Sequence, residues 1–173
     1  MSDVNVVALV PVAGRADFAP EAVDSFVDVT VARLSALVSR VHVVAEGATA
    51  GWLDLIGDAD VVLVHDPLRA YTPAGVVTRV IAEVVATGRP VVPVLPCSDT
   101  VKRVAETGVV IDTPDRTSLR VAQSPIGYPA ASLTSGAVAP GTVPAGARLV
   151  TGDPMARRLA GAVDLAMIDG GQA

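Results

Sequence analysis

The stretch Asp60-Val61-Val62-Leu63-Val64-His65-Asp66-Pro67-Leu68-Arg69-Ala70 decides the fold. Four β-favouring apolar residues run straight into a polar cluster and a proline. A short apolar run bounded by turn signals reads as a strand buried on both faces of a parallel sheet. His65 and Asp66 then stand at the strand's C-terminal end, where open α/β sheets place their ligands. The same residues could instead do no more than polarise a loop. A second stretch of the same design favours a site: Val91-Val92-Pro93-Val94-Leu95-Pro96, followed by Cys97-Ser98-Asp99-Thr100-Val101-Lys102-Arg103. Two buried strands, each ending in an acid with a base close behind, read as two lips of one site.

Outward from these strands the chain alternates strand and helix. Val4 to Val12 reads as the first buried strand, ending in Ala13-Gly14-Arg15-Ala16-Asp17. Gly14 would let backbone N–H groups approach a phosphate and Arg15 could neutralise it, although a tight turn alone also uses glycine. Pro20 suits the first turn of a helix. From Glu21 to Val38 the apolar residues fall mostly at three- and four-residue steps, an amphipathic helix. Val41 to Ala45 is a second strand, Trp52 to Ile56 a short helical turn, and Pro73 to Ala86 a helix capped by Gly88 and stopped by Pro90. Trp52 reads as a packing residue. This order predicts right-handed crossovers and a three-layer α/β/α sandwich with a mostly parallel sheet.

The second half changes character. Val109 to Thr113 and Leu119 to Gln123 flank a turn and predict a β-hairpin projecting from the sheet, an arm over about 109–127. Residues 130–147 are rich in Ala, Ser, Gly and Pro and read as an irregular connection. Arg148 to Thr151 is a last strand, and a final helix is expected over 163–168. With 173 residues and no repeat or linker, one domain over 1–173 is expected. The core must be built from Val, Ala and Leu, because 51% of residues are hydrophobic but only 3% aromatic. A net charge of −5 argues against nucleic acid or an anionic membrane as partner, so an anionic ligand would need a local basic cluster. The single Cys97 excludes an internal disulfide and suits a reducing compartment. No apolar run approaches the ~20 residues of a membrane span, so a cytoplasmic location is expected.

Five stretches, in order, carry a resemblance. They are Val-Pro-Val-Ala-Gly-Arg (10–15), Val-Leu-Val-His-Asp-Pro-Leu-Arg (62–69), Leu-Pro-Cys-Ser-Asp-Thr-Val-Lys-Arg-Val (95–104), Asp-Arg-Thr-Ser-Leu-Arg-Val-Ala-Gln-Ser-Pro (115–125) and Val-Thr-Gly-Asp-Pro with Asp-Leu (150–165). Over nearly the whole chain the sequence resembles the 2-C-methyl-D-erythritol 4-phosphate cytidylyltransferases of the non-mevalonate isoprenoid pathway. The resemblance implies a Rossmann-like nucleotidyltransferase fold whose arm embraces a second subunit, hence a homodimer. It implies CTP and methylerythritol phosphate as ligands and Mg²⁺ as cofactor if the protein is active. Charge neutralisation, with no protein nucleophile, would drive the transfer. By this resemblance Ala13, Gly14 and Asp66 would bind nucleotide, and Arg15 and Arg158 would be catalytic. Asp99 would bind the acceptor, and Arg116 and Ser124, on the arm, would reach the acceptor phosphate of the second subunit, with Ser124 standing for a threonine and Arg158 for a lysine; an arginine fork is not equivalent to an ammonium. Asp99 could otherwise cap a turn, and Arg157-Arg158 could be solvated charge.

The chain also departs from the family. Glu21 stands where a lysine closes the first loop, the cytosine-reading segment is compressed to Glu46–Trp52 without its Arg and Ser, and 130–147 lacks a helix. A carboxylate beside a triphosphate is repulsive, and losing a transition-state cation costs several kcal/mol. The expectation is therefore a cytidylyltransferase-like protein with impaired or lost CTP-dependent transfer, a pseudoenzyme. The alternatives are a working minimal cytidylyltransferase, or a related nucleotidyltransferase with another phosphorylated acceptor.

Overall fold

The computed structural model describes residues 4–12, 20–45, 51–133 and 142–159. Its centre is strand β3, Val61–Val64, buried along its whole length. It pairs in parallel with β1, Val6–Val12, which pairs in parallel with β2, Arg40–Ala45. Side chains alternate between the faces. Val7, Leu9, Val62 and Val64 enter one apolar layer, and Val6, Ala8, Val10, Val61 and Leu63 enter the other. Helices α1 (Pro20–Ser35) and α3 (Ala74–Thr87) cover the second face through Leu34, Val77, Val80 and Val84. The short α2 (Trp52–Ile56) covers the first with Trp52 and Ile56, so Trp52 is a packing residue. The result is the three-layer α/β/α sandwich.

Helix α3 ends where its sequence says it must. Gly88 takes the left-handed conformation, φ 61°, and its N–H closes on the Val84 carbonyl at 2.8 Å. Any side chain there would strain the cap.

Strand β4, Val91–Pro96, runs in the direction of β3 but does not touch it. Between them lies β8, Ile126–Pro129, antiparallel to both and almost wholly buried. The sequence names no separate strand there, and the expected arm runs on to about residue 127. β7, Arg120–Ala122, precedes it and pairs antiparallel with the far end of β4. β9, Arg148–Thr151, lies parallel on the other side of β4. The sheet is thus mostly parallel with one inserted antiparallel segment.

This corrects the expected hairpin. Residues 120–122 belong to the main sheet, and β6 (Val110–Asp112) pairs with β5 (Arg103–Val104), joined by the Arg103–Asp112 ion pair. The two-stranded projection therefore starts earlier in the chain than position 109. β4 still had an open edge beyond β8, and a strand gains more from joining a large sheet than an isolated ribbon. The helix expected over 163–168 lies outside the described residues.

Gly127 shows how tightly the inserted strand is held. A Cβ there would stand 2.6 Å from Val80 Cγ1 and 2.8 Å from Val84 Cγ2, closer than packed carbons approach. Both neighbours are buried in α3, so the helix would have to move off the sheet. Gly127→Ala is expected to cost about 2 kcal/mol, the usual scale of overpacking. Urea unfolding measures it, and an unchanged midpoint would show that α3 is not seated on β8.

Candidate functional site

At the C-terminal end of β3 the chain turns sharply. Asp66 caps the single 3₁₀ turn Pro67–Arg69, its Oδ1 accepting the Leu68 N–H at 3.0 Å. Its other oxygen, Oδ2, accepts from Arg158 Nε at 2.8 Å. Asp66, Arg69, Ala122, Gln123, Ser124 and Arg158 line a cavity of about 250 Å³, with Val64 and Ile126 beneath. Here an antiparallel insertion and a C-terminal segment meet the central strand, so residues far apart in sequence share one site.

Arg69 is the second cation of the cavity. Its guanidinium spans two backbone carbonyls, Nη1 donating to Ala156 O at 2.5 Å and Nη2 to Ala122 O at 3.0 Å. Burial lowers its pKa below the ordinary guanidinium range; Asp66 opposes and Arg158 pushes the same way as burial. Gln123 is buried and clamps the 152–156 segment, accepting from Asp153 N at 2.9 Å and donating to Asp153 O at 2.7 Å. That clamp requires Gly152, because a Cβ there would fall 2.0 Å from Gln123 Oε1.

His65 is 2% exposed, and burial pushes its imidazole down to about 4 from the usual 6.5. Its Nδ1 lies 3.2 Å from Ser124 Oγ and its Nε2 lies 3.3 Å from the Arg69 carbonyl. The Asp66 N–H donates to the same Ser124 Oγ at 3.2 Å.

Asp66, Ser124 and Arg158, named from sequence, are therefore brought together. Ser124 sits at the buried β7–β8 junction with its hydroxyl turned to His65 and Asp66, not on the projecting strands. Asp99 and Arg116 do not line the cavity. They lie near each other, Arg116 Nη1 donating to Ser98 O at 2.9 Å beside the exposed Asp99. The two lips expected from sequence are separated because β8 stands between β3 and β4. Ala13, Gly14 and Arg15 lie outside the described residues. Arg69 and Gln123 carry roles the sequence did not disclose, although both fall inside stretches already singled out. The only signal was that inclusion, because their partners are backbone groups 30 to 87 positions away.

The described residues do not make a cage for Mg²⁺. No group of three or more His, Cys, Asp or Glu is placed to hold a metal among them, and both Asp66 oxygens are already engaged. Negative charge entering this cavity would meet guanidinium groups.

A family model described as IspD, 2-C-methyl-D-erythritol 4-phosphate cytidylyltransferase, matches residues 6–172. The chain belongs to the IspD family. An enzyme of that description from Corynebacterium glutamicum strain R is 43% identical over 99 residues, covering 53% of this chain and 39% of the relative. One from Nocardia farcinica is 41% identical over 122 residues, 65% of this chain and 53% of the relative. The chain thus spans about half, or less, of the length of the curated relatives it matches. Among solved structures, the cytidylyltransferase from Thermus thermophilus superposes with a TM-score of 0.68 at 21% identity, covering 96% of this chain and 98% of that one. The Francisella tularensis IspD reaches 0.71 at 16% identity, covering 96% and 99%. At these identities the superpositions establish the IspD nucleotidyltransferase-like α/β fold. Among the described residues no helix is long and apolar enough to cross a membrane.

Proposed function

We propose that the protein is an IspD-like member of the isoprenoid precursor pathway that keeps an acceptor-side anion site while CTP-dependent cytidylyl transfer is impaired or lost. One observation carries the reading: Arg158, the cation expected at the phosphates, is held on Asp66 at 2.8 Å. A guanidinium committed to a carboxylate offers an incoming triphosphate little net charge, and displacing it costs part of a charge-assisted pair. Arg69 adds a second positive charge, so the Asp66–Arg69–Arg158 group keeps a net charge of one and suits a single phosphate better than a triphosphate. Asp99 and, from a second copy of the chain, Arg116 would serve the acceptor side, and the first-loop residues Ala13, Gly14 and Arg15 the nucleotide side.

Calorimetric titration with CTP and with methylerythritol phosphate, separately, tests this. The acceptor is expected to bind at least tenfold more tightly than CTP, a difference of about 1.4 kcal/mol. Tight CTP binding with cytidylyl transfer at ordinary enzyme rates would establish the other reading, a working minimal cytidylyltransferase. That reading draws on the family match extending over residues 6–172. Mg²⁺ would then enter with the triphosphate, since the described residues hold no cage for it.

A homodimer through the projecting strands belongs to the same proposal. Val104, Val109, Val110 and Ile111 are exposed there, Ile111 to 61%. A two-stranded ribbon is marginal alone and gains by burying such a face on a second copy. Ile111→Asp is expected to shift the protein from dimer to monomer at ~10 μM, within the range of ordinary association constants. Sedimentation would show it, and a parent protein that is already monomeric at that concentration would refute the arm's role.

A further inference from the structure

His65 is buried, touches no open part of the Asp66 cavity, and has two polar bonds that a packing residue would not need. Its surroundings fix its protonation. The Arg69 carbonyl can only accept, so Nε2 must carry the proton. A neutral imidazole has one such proton, so Nδ1 is an acceptor and the Ser124 hydroxyl must donate to it. Ser124 Oγ keeps its lone pairs for the Asp66 N–H. The chain of donors is then unambiguous: Asp66 N–H to Ser124, Ser124 O–H to His65, His65 Nε2–H to the Arg69 carbonyl.

These contacts join two walls of the cavity. Asp66 and the Arg69 carbonyl belong to the one turn after β3, and Ser124, facing them, joins β7 to β8. We propose that His65 is a positioning residue which ties these walls together, and that Ser124 is its internal strut rather than a ligand for an incoming phosphate. By fixing the Asp66 backbone, the relay also fixes the carboxylate that holds Arg158. A second cavity, about 240 Å³ and lined by Thr30, Leu34, Ala70, Thr72 and Val77, meets the opposite side of the ring. The imidazole is therefore held by its hydrogen bonds and not by tight packing on every side. The inference rests on the anion-site reading only in taking the Asp66 cavity as the site.

Nitrogen-15 NMR of the full chain tests it without any ligand. His65 is expected to show the Nε2–H tautomer, and Ser124→Ala to shift its Nδ1 signal. The Arg158 Nε–H resonance is expected to move in Ser124→Ala and in His65→Gln, whose amide can replace Nε2–H but not Nδ1. It should stay in place in His65→Asn, whose carbonyl oxygen can still accept from Ser124. Titration with inorganic phosphate adds the functional readout. Ser124→Ala and His65→Gln should each weaken binding about tenfold, the scale of one buried hydrogen bond, and the double variant hardly further. His65→Asn should stay within about threefold of the parent. An Nδ1–H tautomer, or an Arg158 signal indifferent to both Ser124→Ala and His65→Gln, would overturn the proposal. If the parent binds no phosphate, the anion-site reading fails, and the NMR arms still decide the role of His65.

Discussion

Taking the protein from pH 7 to pH 4 is expected to cost the native state about 3 kcal/mol through His65. Its imidazole titrates near 4 in the folded chain and at the ordinary 6.5 when unfolded. Between those values the unfolded chain takes up a proton that the native one refuses, so stability falls as pH falls. The loss begins below 6.5 and is complete once the pH drops beneath the folded value. At about 1.4 kcal/mol per unit the full loss is on the order of 3 kcal/mol. The charges facing the ring do not reverse the sign. Asp66 favours the imidazolium, Arg69 opposes it, Arg158 across the cavity neutralises Asp66, and Arg33 on α1 rims the cavity on the other side. Burial outweighs them as the largest of the influences, and a proton on Nδ1 would also force the Ser124 hydroxyl hydrogen to turn away from the ring. The carboxyls of Asp58 and Asp115 are held below their ordinary 3.8 by hydrogen bonds, so they contribute beneath this window. Urea midpoints measured across the range should fall for the parent and stay nearly level for His65→Asn. A parent midpoint constant from pH 6.5 to 4 would mean that the ring is not buried as a neutral group.

What could be read in advance follows from how local each feature is. β3 announces itself as four apolar residues bounded by Asp60 and Pro67, and α3 as a stripe of valines ended by Gly88. Both depend on patterns within a few residues. β8 depends on something else. Ile126-Gly127-Tyr128-Pro129 has the composition of a turn, and it is a central strand because Gly127 admits α3 and because β3 and β4 both need a neighbour. The hairpin error has the same source. Val110 to Asp112 was legible as a strand, but its partner is only two residues long, and the pairing of Arg120 to Ala122 with β4 is set by the whole sheet. The site divides in the same way. Asp66, Ser124 and Arg158 could be named from the family's pattern, and the fold brings them to one cavity. The inward turn of Ser124 could not be foreseen, because it depends on His65 being buried and neutral. Arg69 and Gln123 hold backbone groups far along the chain, and no side-chain spacing encodes such partners.

Replacing Arg69 is expected to have the other large effect. Its guanidinium joins the turn after β3 to Ala122 on β7 and to Ala156 in the C-terminal segment, alongside the Arg158–Asp66 pair and the Ser124 contacts. Hydrogen bonds from a charged donor contribute about 1.5–3 kcal/mol each, and the alanine variant loses both. Arg69→Ala should therefore lower stability by about 3 kcal/mol, allowing for the part of the side chain that water reaches. Arg69→Lys separates charge from geometry. An ammonium keeps the positive charge but cannot span two carbonyls on different walls, so it should recover no more than about half of the loss. The anion site should respond differently. Without Arg69 the remaining Asp66–Arg158 pair has no net charge, and phosphate binding should fall at least tenfold in the alanine variant. In the lysine variant it should fall less. Guanidinium unfolding and phosphate titration on the same samples give both numbers. Should Arg69→Ala unfold within about 0.5 kcal/mol of the parent, the size of an ordinary surface substitution, the guanidinium would not be the tie between β3, β7 and the C-terminal segment.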